Sequence, residues 1–210
     1  MFYLTCRAGL RTTVCAVAAF LPVRTPAVAQ GLDSTERAVI AAALTGTRTV
    51  SDSSWILIAD HTTTFQCLVS SQDVINVGGC SGMRVQSQTA EDMLARVQRA
   101  IPAIPTSALA DLKARSDTGV LIGGALPLHV RQVIWGPGSG TPIPSDRGNP
   151  ALAIAVSRVG FDSSRTKAVL YLAAMNWTDA RESYGEYVYL VRAHNAWSVG
   201  GRMRTWQLEP

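Results

Sequence analysis

The sequence predicts an α+β domain in which short helices pack on a curved antiparallel sheet ending in a four-stranded C-terminal meander. Three observations predict it. Residues 151–208 fall into four β-forming pieces with short turn-like joins. Upstream, residues 32–44, 89–101 and 106–115 carry apolar side chains at helical spacing. Of 210 residues, 47% are hydrophobic and only 16% charged, a balance that builds a packed core and excludes a disordered chain.

Residues 1–29 have the layout of an export signal peptide: Arg7 and Arg11 in the head, an apolar stretch over 12–23, and the small-residue ending Ala27-Val28-Ala29. Cleavage is expected before Gln30, leaving residues 30–210 as a single α+β domain with a Pro/Gly-rich loop at 136–150. The expected location is secreted or periplasmic. Removing the leader takes three of the 19 bases and none of the 15 acids, so the net charge falls from +4 to about +1. The remaining arginines are scattered singly, and a scattered near-neutral charge excludes the concentrated basic patch that nucleic-acid binding needs. No run reaches the roughly 18 to 20 uncharged residues of a membrane-spanning helix, so no transmembrane segment is expected.

Export also bears on the cysteines, because cleavage discards Cys6 and Cys15 and leaves Cys67 and Cys80. An even pair in an oxidising compartment suggests one disulfide. It would close a loop of about 14 residues and contribute roughly 3 kcal/mol in the chain-entropy account. Two buried free thiols are the competing reading.

The elements follow in order. Asp33 with Glu36 three residues later forms a possible capping box ahead of the apolar positions of the first helix. Trp55 to Ala59 is a continuous apolar run short enough for a buried strand. Residues 65–69 and 83–87 read as two further strands. In the helix over 89–101, Met93, Leu94, Val97 and Ile101 share one face, and Pro102 and Pro105 separate it from the helix over 106–115, capped by Thr106. Leu128 to Trp135 alternates, with Val130, Gln132 and Ile134 on one face and His129, Arg131 and Val133 on the other. The four closing strands cover 151–159, 166–175, 185–193 and 197–208. His194-Asn195 suits a tight hairpin because Asn accepts a left-handed backbone. Both faces of the Tyr187–Val191 stretch are apolar, so helices cover one side and the other is free to curve into a concave surface.

Several local sequences, Val156-Ser157-Arg158-Val159-Gly160-Phe161, Lys167-Ala168-Val169-Leu170-Tyr171, Tyr187-Val188-Tyr189-Leu190-Val191 and Asn195-Ala196-Trp197-Ser198-Val199, together resemble a loose group of exported bacterial proteins of uncharacterised function. The aliphatic strand running into Asp60-His61-Thr62 is similar too. The resemblance spans about half the mature chain, implies architecture rather than activity, and departs from the group in having no cysteine over 176–186.

Catalytic signatures are sparse. No G-x-S-x-G elbow or H-E-x-x-H occurs, and Gly136-Pro137-Gly138-Ser139-Gly140 lacks the lysine of a phosphate loop. The three histidines, His61, His129 and His194, lie far apart in sequence, and no cofactor or metal is expected. Asp60-His61, ending a buried strand, is the most reactive dipeptide, although neighbours on a strand point to opposite faces and so would not serve each other. His129 and Arg131 on one face form the other candidate polar site, as the lining of an anion pocket. The five tryptophans suit a carbohydrate or apolar ligand but are more often core anchors. The expected function is an exported, monomeric binding or accessory module for a small ligand or protein. The alternative is a small secreted hydrolase using Asp60 or His61 near the 136–150 loop.

Overall fold

The computed structural model describes residues 31–45, 55–64, 89–136, 150–176 and 179–207. The leader, Cys67 and Cys80, the strands expected over 65–69 and 83–87, Trp177 and loop residues 137–149 lie outside the described residues.

Among the described residues there are helices α1 (Ser34–Thr45), α2 (Ala90–Ala100) and α3 (Thr106–Arg115). The strands are β1 (Trp55–Ala59), β2 (Arg131–Trp135), β3 (Leu152–Val156), β4 (Gly160–Phe161), β5 (Lys167–Asn176), β6 (Tyr184–Ala193) and β7 (Ala196–Gln207). They form one sheet of order β2-β1-β3-β5-β6-β7, with β4 also paired to β5. No described helix is long and apolar enough to cross a membrane.

The meander is present: β3, β5, β6 and β7 pair antiparallel in succession. The turn between β6 and β7 places His194 at φ 48° and Asn195 at φ 65°, the two left-handed residues a tight hairpin requires. The rest of the sheet corrects the all-antiparallel expectation, because β1 runs parallel to both β2 and β3. The join between β1 and β2 carries α2 and α3, and a long helical crossover returns the chain to start a parallel neighbour, as a hairpin cannot.

The expected one-sided helical cover is also corrected. Alternation puts Ile56, Ile58, Leu170, Leu172, Val188 and Leu190 on one face, where Val39, Ile40, Ala43 and Leu44 of α1 meet them. Val169, Tyr171, Ala173, Tyr187 and Tyr189 point the other way and are met by Met93 and Val97 of α2 and by Ala108, Leu109 and Leu112 of α3. Strands apolar on both faces need both covered, so the concave face anticipated over this part of the sheet is filled. Trp55 is a buried member of a third cluster with Leu57, Val133 and Ala153, whereas Trp197 and Trp206 are half-buried and pack against the edges of the two main clusters.

The capping box forms at α1: the Glu36 amide donates to Asp33 Oδ1 at 2.8 Å and the Asp33 amide to Glu36 Oε2 at 3.3 Å. Thr89 caps α2 through its side chain. For α3 the cap is Pro105, with no side-chain bond, so Thr106 is the first helical residue rather than the cap.

Burial around Tyr171 and Tyr187 has a consequence at high pH. The Tyr187 phenol is pushed well up from 10.0 by burial and by the neighbouring Tyr171, and Tyr171 is raised by burial despite hydrogen bonds from Trp206 and Thr205. In the unfolded chain both ionise near the ordinary value, so unfolding releases protons above it. Their contribution is whole below about pH 10 and falls as pH rises beyond it. Alkaline titration is expected to show tyrosinate absorbance from these residues only together with loss of native circular dichroism. Stepwise ionisation of all the tyrosines with the fold intact would contradict this.

Candidate functional site

The structure divides the four sequence-predicted residues between the two ends of β1. Arg131 pairs with Trp55 at the start of that strand, whereas the Asp60 amide donates to the Trp135 carbonyl just past its end. Five residues of strand, roughly 16 Å, separate them. His129 and Arg131 are both exposed, and neither is shown bonded to the other pair among the described residues.

Asp60 and His61 do meet. His61 Nδ1 lies 2.8 Å from Asp60 Oδ1, with the Asp60 carboxyl buried and the imidazole about half exposed. The expectation that adjacent side chains diverge fails because Asp60 is a bend rather than a strand residue. Its amide is tied to Trp135 and its carbonyl accepts from Ile122, which turns the chain as it leaves the sheet. The pair stands at the carboxyl ends of parallel strands, where β1 is flanked by β2 and β3 and successive connections leave in opposite directions, a common place for ligands in α/β sheets. A carboxylate on Nδ1 fixes the tautomer and leaves Nε2 as an accessible base. Gly136 makes room for it, since any Cβ there would overlap the Asp60 carboxyl. Gly136→Ala is therefore expected to break the pair. Ring-nitrogen NMR should report a single Nδ1–H tautomer for His61 in the parent and a mixture in the variant; identical spectra would show that the pair does not set the tautomer.

A second site went unnoticed in the sequence. Ser107, Asp111 and Arg115 recur every four residues on α3 and face Phe161 of β4 and the turn residues Asp162, Ser163 and Arg165 across a cleft of about 390 Å³. A bulge precedes its far wall. Val156 pairs with Leu172 but Gly160 with Val169, so four steps on one strand oppose three on the other. Within the bulge the Ser157 hydroxyl accepts the Tyr171 amide at 2.9 Å, replacing a ladder carbonyl. Arg158 is thereby aimed at the buried Glu36 of α1, Nε to Oε1 at 2.8 Å and Nη2 to Oε2 at 3.0 Å, a two-pronged geometry suited to guanidinium and carboxylate.

Glu36 also holds Arg115 at 3.4 Å, and Arg115 donates to the Val159 carbonyl at 2.9 Å. Arg165 reaches the cleft from a turn in which the Asp162 carboxylate accepts the Ser164 hydroxyl and the Thr166 and Lys167 amides. Its φ of 53° is unusual for a long side chain and carries backbone strain of a kind that gathers at functional sites. The guanidinium carbons of Arg165 and Arg115 stand 4.5 and 5.6 Å from the centre of the Phe161 ring. Asp33 Oδ2 lies 3.1 Å from Arg165 and 4.0 Å from Arg115. Burial by itself would raise the Asp33 carboxyl, but the Glu36 amide, Arg165 and the Thr35 amide outweigh it and hold the group below its ordinary value.

No protein-family model, curated protein or solved structure matches this chain. Two places among the described residues carry its chemistry: an imidazole held by a buried carboxylate at the mouth of the parallel strands, and an arginine-lined cleft beside α3. The spacing of Ser107, Asp111 and Arg115 along α3 is written in the sequence; their meeting with Arg165, about fifty residues past Arg115, requires the fold.

Proposed function

We propose that this chain is an exported domain with a binding or accessory role, and that its ligand seats in the cleft between α3 and the β4–β5 turn. The observation that carries the reading is the arginine pair over Phe161, one member anchored by the buried Glu36, beside a cavity of about 390 Å³. That volume is within the range of small-ligand pockets. The leader pattern of residues 1–29 and the resemblance to exported bacterial proteins support delivery to an oxidising compartment, where Cys67 and Cys80 pair. N-terminal sequencing that begins at Gln30, and resistance of the mature chain to alkylation before reduction, are the expected results.

Occupancy of the cleft is tested with Ser107→Trp, whose indole fills it from an exposed helical position. Amino acids, hydroxy acids, sugars and nucleotides are screened by thermal shift on both proteins. A compound that raises the parent's Tm and leaves the Ser107→Trp protein unchanged supports the reading. Equal shifts in both, or none from the panel, overturn it.

The 2.8 Å contact between Asp60 and His61 favours a second reading, a small hydrolase with His61 as general base acting near Gly136, where the 136–150 loop begins. It predicts turnover of p-nitrophenyl acetate that falls at least about a hundredfold in His61→Ala, the usual worth of general-base catalysis. Equal rates in parent and variant would dismiss it.

A further inference from the structure

We infer that the ligand of the α3 cleft is a small carboxylate carrying a hydrogen-bond donor next to the carboxyl group, the chemistry of a hydroxy acid or an amino acid. The inference rests on the preceding assignment of the cleft as the ligand site and names what the site selects.

The chain itself displays how the arginine pair treats a carboxylate. Asp33 Oδ2 stands 3.1 Å from Arg165 and 4.0 Å from Arg115, so a single oxygen already faces both guanidiniums on their α1 side. Both arginines also line the cleft. A guanidinium has five N–H groups. Arg165 spends one nitrogen on Asp33, and Arg115 is engaged through Nη1 and Nη2, which leaves donors on each for a second carboxylate from the open side. Their exposure differs. Arg115 has 25% of its side chain exposed and is held by Glu36 and Val159, whereas Arg165 is 49% exposed and reaches the open side of the cleft from its turn.

The acidic groups of the cleft narrow the choice. Asp162 is consumed by its own turn, but Asp111 uses only Oδ2, for the Phe161 amide at 2.8 Å, and Oδ1 is left to accept from a ligand. A donor beside the ligand's carboxyl would meet it. The same two aspartates oppose ligands of higher negative charge, because the two lining acids match the two lining arginines and Asp33 and Glu36 already sit on those arginines from the α1 side. That balance disfavours phosphate and nucleotides and suits a singly charged or zwitterionic acid.

Isothermal titration of the full mature chain with lactate, serine, propionate, lactamide and inorganic phosphate tests this. Lactate or serine is expected to bind, with propionate, lactamide and phosphate each at least about tenfold weaker, the usual value of one charge-assisted hydrogen bond. Arg165→Gln, at an exposed turn, should weaken the preferred acid by a similar factor, and Asp111→Asn should erase the advantage of serine and lactate over propionate. If lactamide or phosphate binds as well as the acids and Ser107→Trp abolishes that binding, the cleft stands and the carboxylate assignment falls. If no probe shows binding that Ser107→Trp removes, both fall.

Discussion

Glu36→Ala is expected to lower the free energy of unfolding by about 3–5 kcal/mol, because removing one member of a buried ion-pair cluster leaves the others without compensation. Glu36 is fully buried. Its carboxylate accepts two bonds from Arg158, faces Arg115 at 3.4 Å, and closes the α1 capping box through the Asp33 amide. One truncation therefore leaves the largely covered Arg158 guanidinium without its carboxylate and also frays the helix start. Urea denaturation should show a lower midpoint with an unchanged slope. Replacing both partners, Glu36→Leu with Arg158→Leu, should recover part of the loss, since paired apolar substitutes avoid the desolvation of a lone charge. A loss below about 1 kcal/mol for the single variant, the size of an exposed ion pair, would show that the cluster is hydrated.

Gly160→Ala is the second large effect, expected to cost about 3 kcal/mol or to prevent folding. A methyl group at this position would overlap the Ala108 carbonyl and the Leu112 amide, backbone atoms of α3 that have no rotamer by which to escape. The helix would have to lift from β4, taking with it the bond from the Phe161 amide to Asp111 and the near wall of the cleft. Gly31→Ala is the matched control. Its added carbon meets nothing nearer than the Leu121 carbonyl at 3.4 Å, an ordinary contact, and its cost should stay within about 0.5 kcal/mol. Near-UV circular dichroism and thermal denaturation distinguish the two; equal stability of both variants would show that α3 moves freely against the sheet.

Much of the architecture was legible because it rests on local rules. The capping pair Asp33 and Glu36, the apolar stripe of α2, the left-handed His194-Asn195 turn and the alternating β6 strand are each specified by residues a few positions apart. Strand direction across a crossover is not. Nothing near Trp55 or Arg131 states that β1 and β2 run parallel, and that arrangement emerges only when α2 and α3 dock on the sheet. The same distinction holds for the sites. Asp60 and His61 were visible as a dipeptide, but their contact depends on a bend held by Trp135 and Ile122. In the cleft, Arg115 and Arg165 come together because α3 packs on β4, which brings both guanidiniums to Phe161, and the one-residue bulge that precedes β4 is announced by no periodicity.

Arg202, on β7, pairs with Glu186 and also donates to the Ala43 carbonyl at 2.8 Å, joining residues 159 positions apart. Helix α1 thus depends for its end and for part of its packing on the last strand described. During synthesis the ribosome releases α1 early and its partner late, so the hydrophobic side of this helix stays undocked while most of the polypeptide is still being made. Docking of α1 therefore waits for the final hairpin, and a chain cut short of β7 would leave that helix without the bond at its end and without part of its apolar cover.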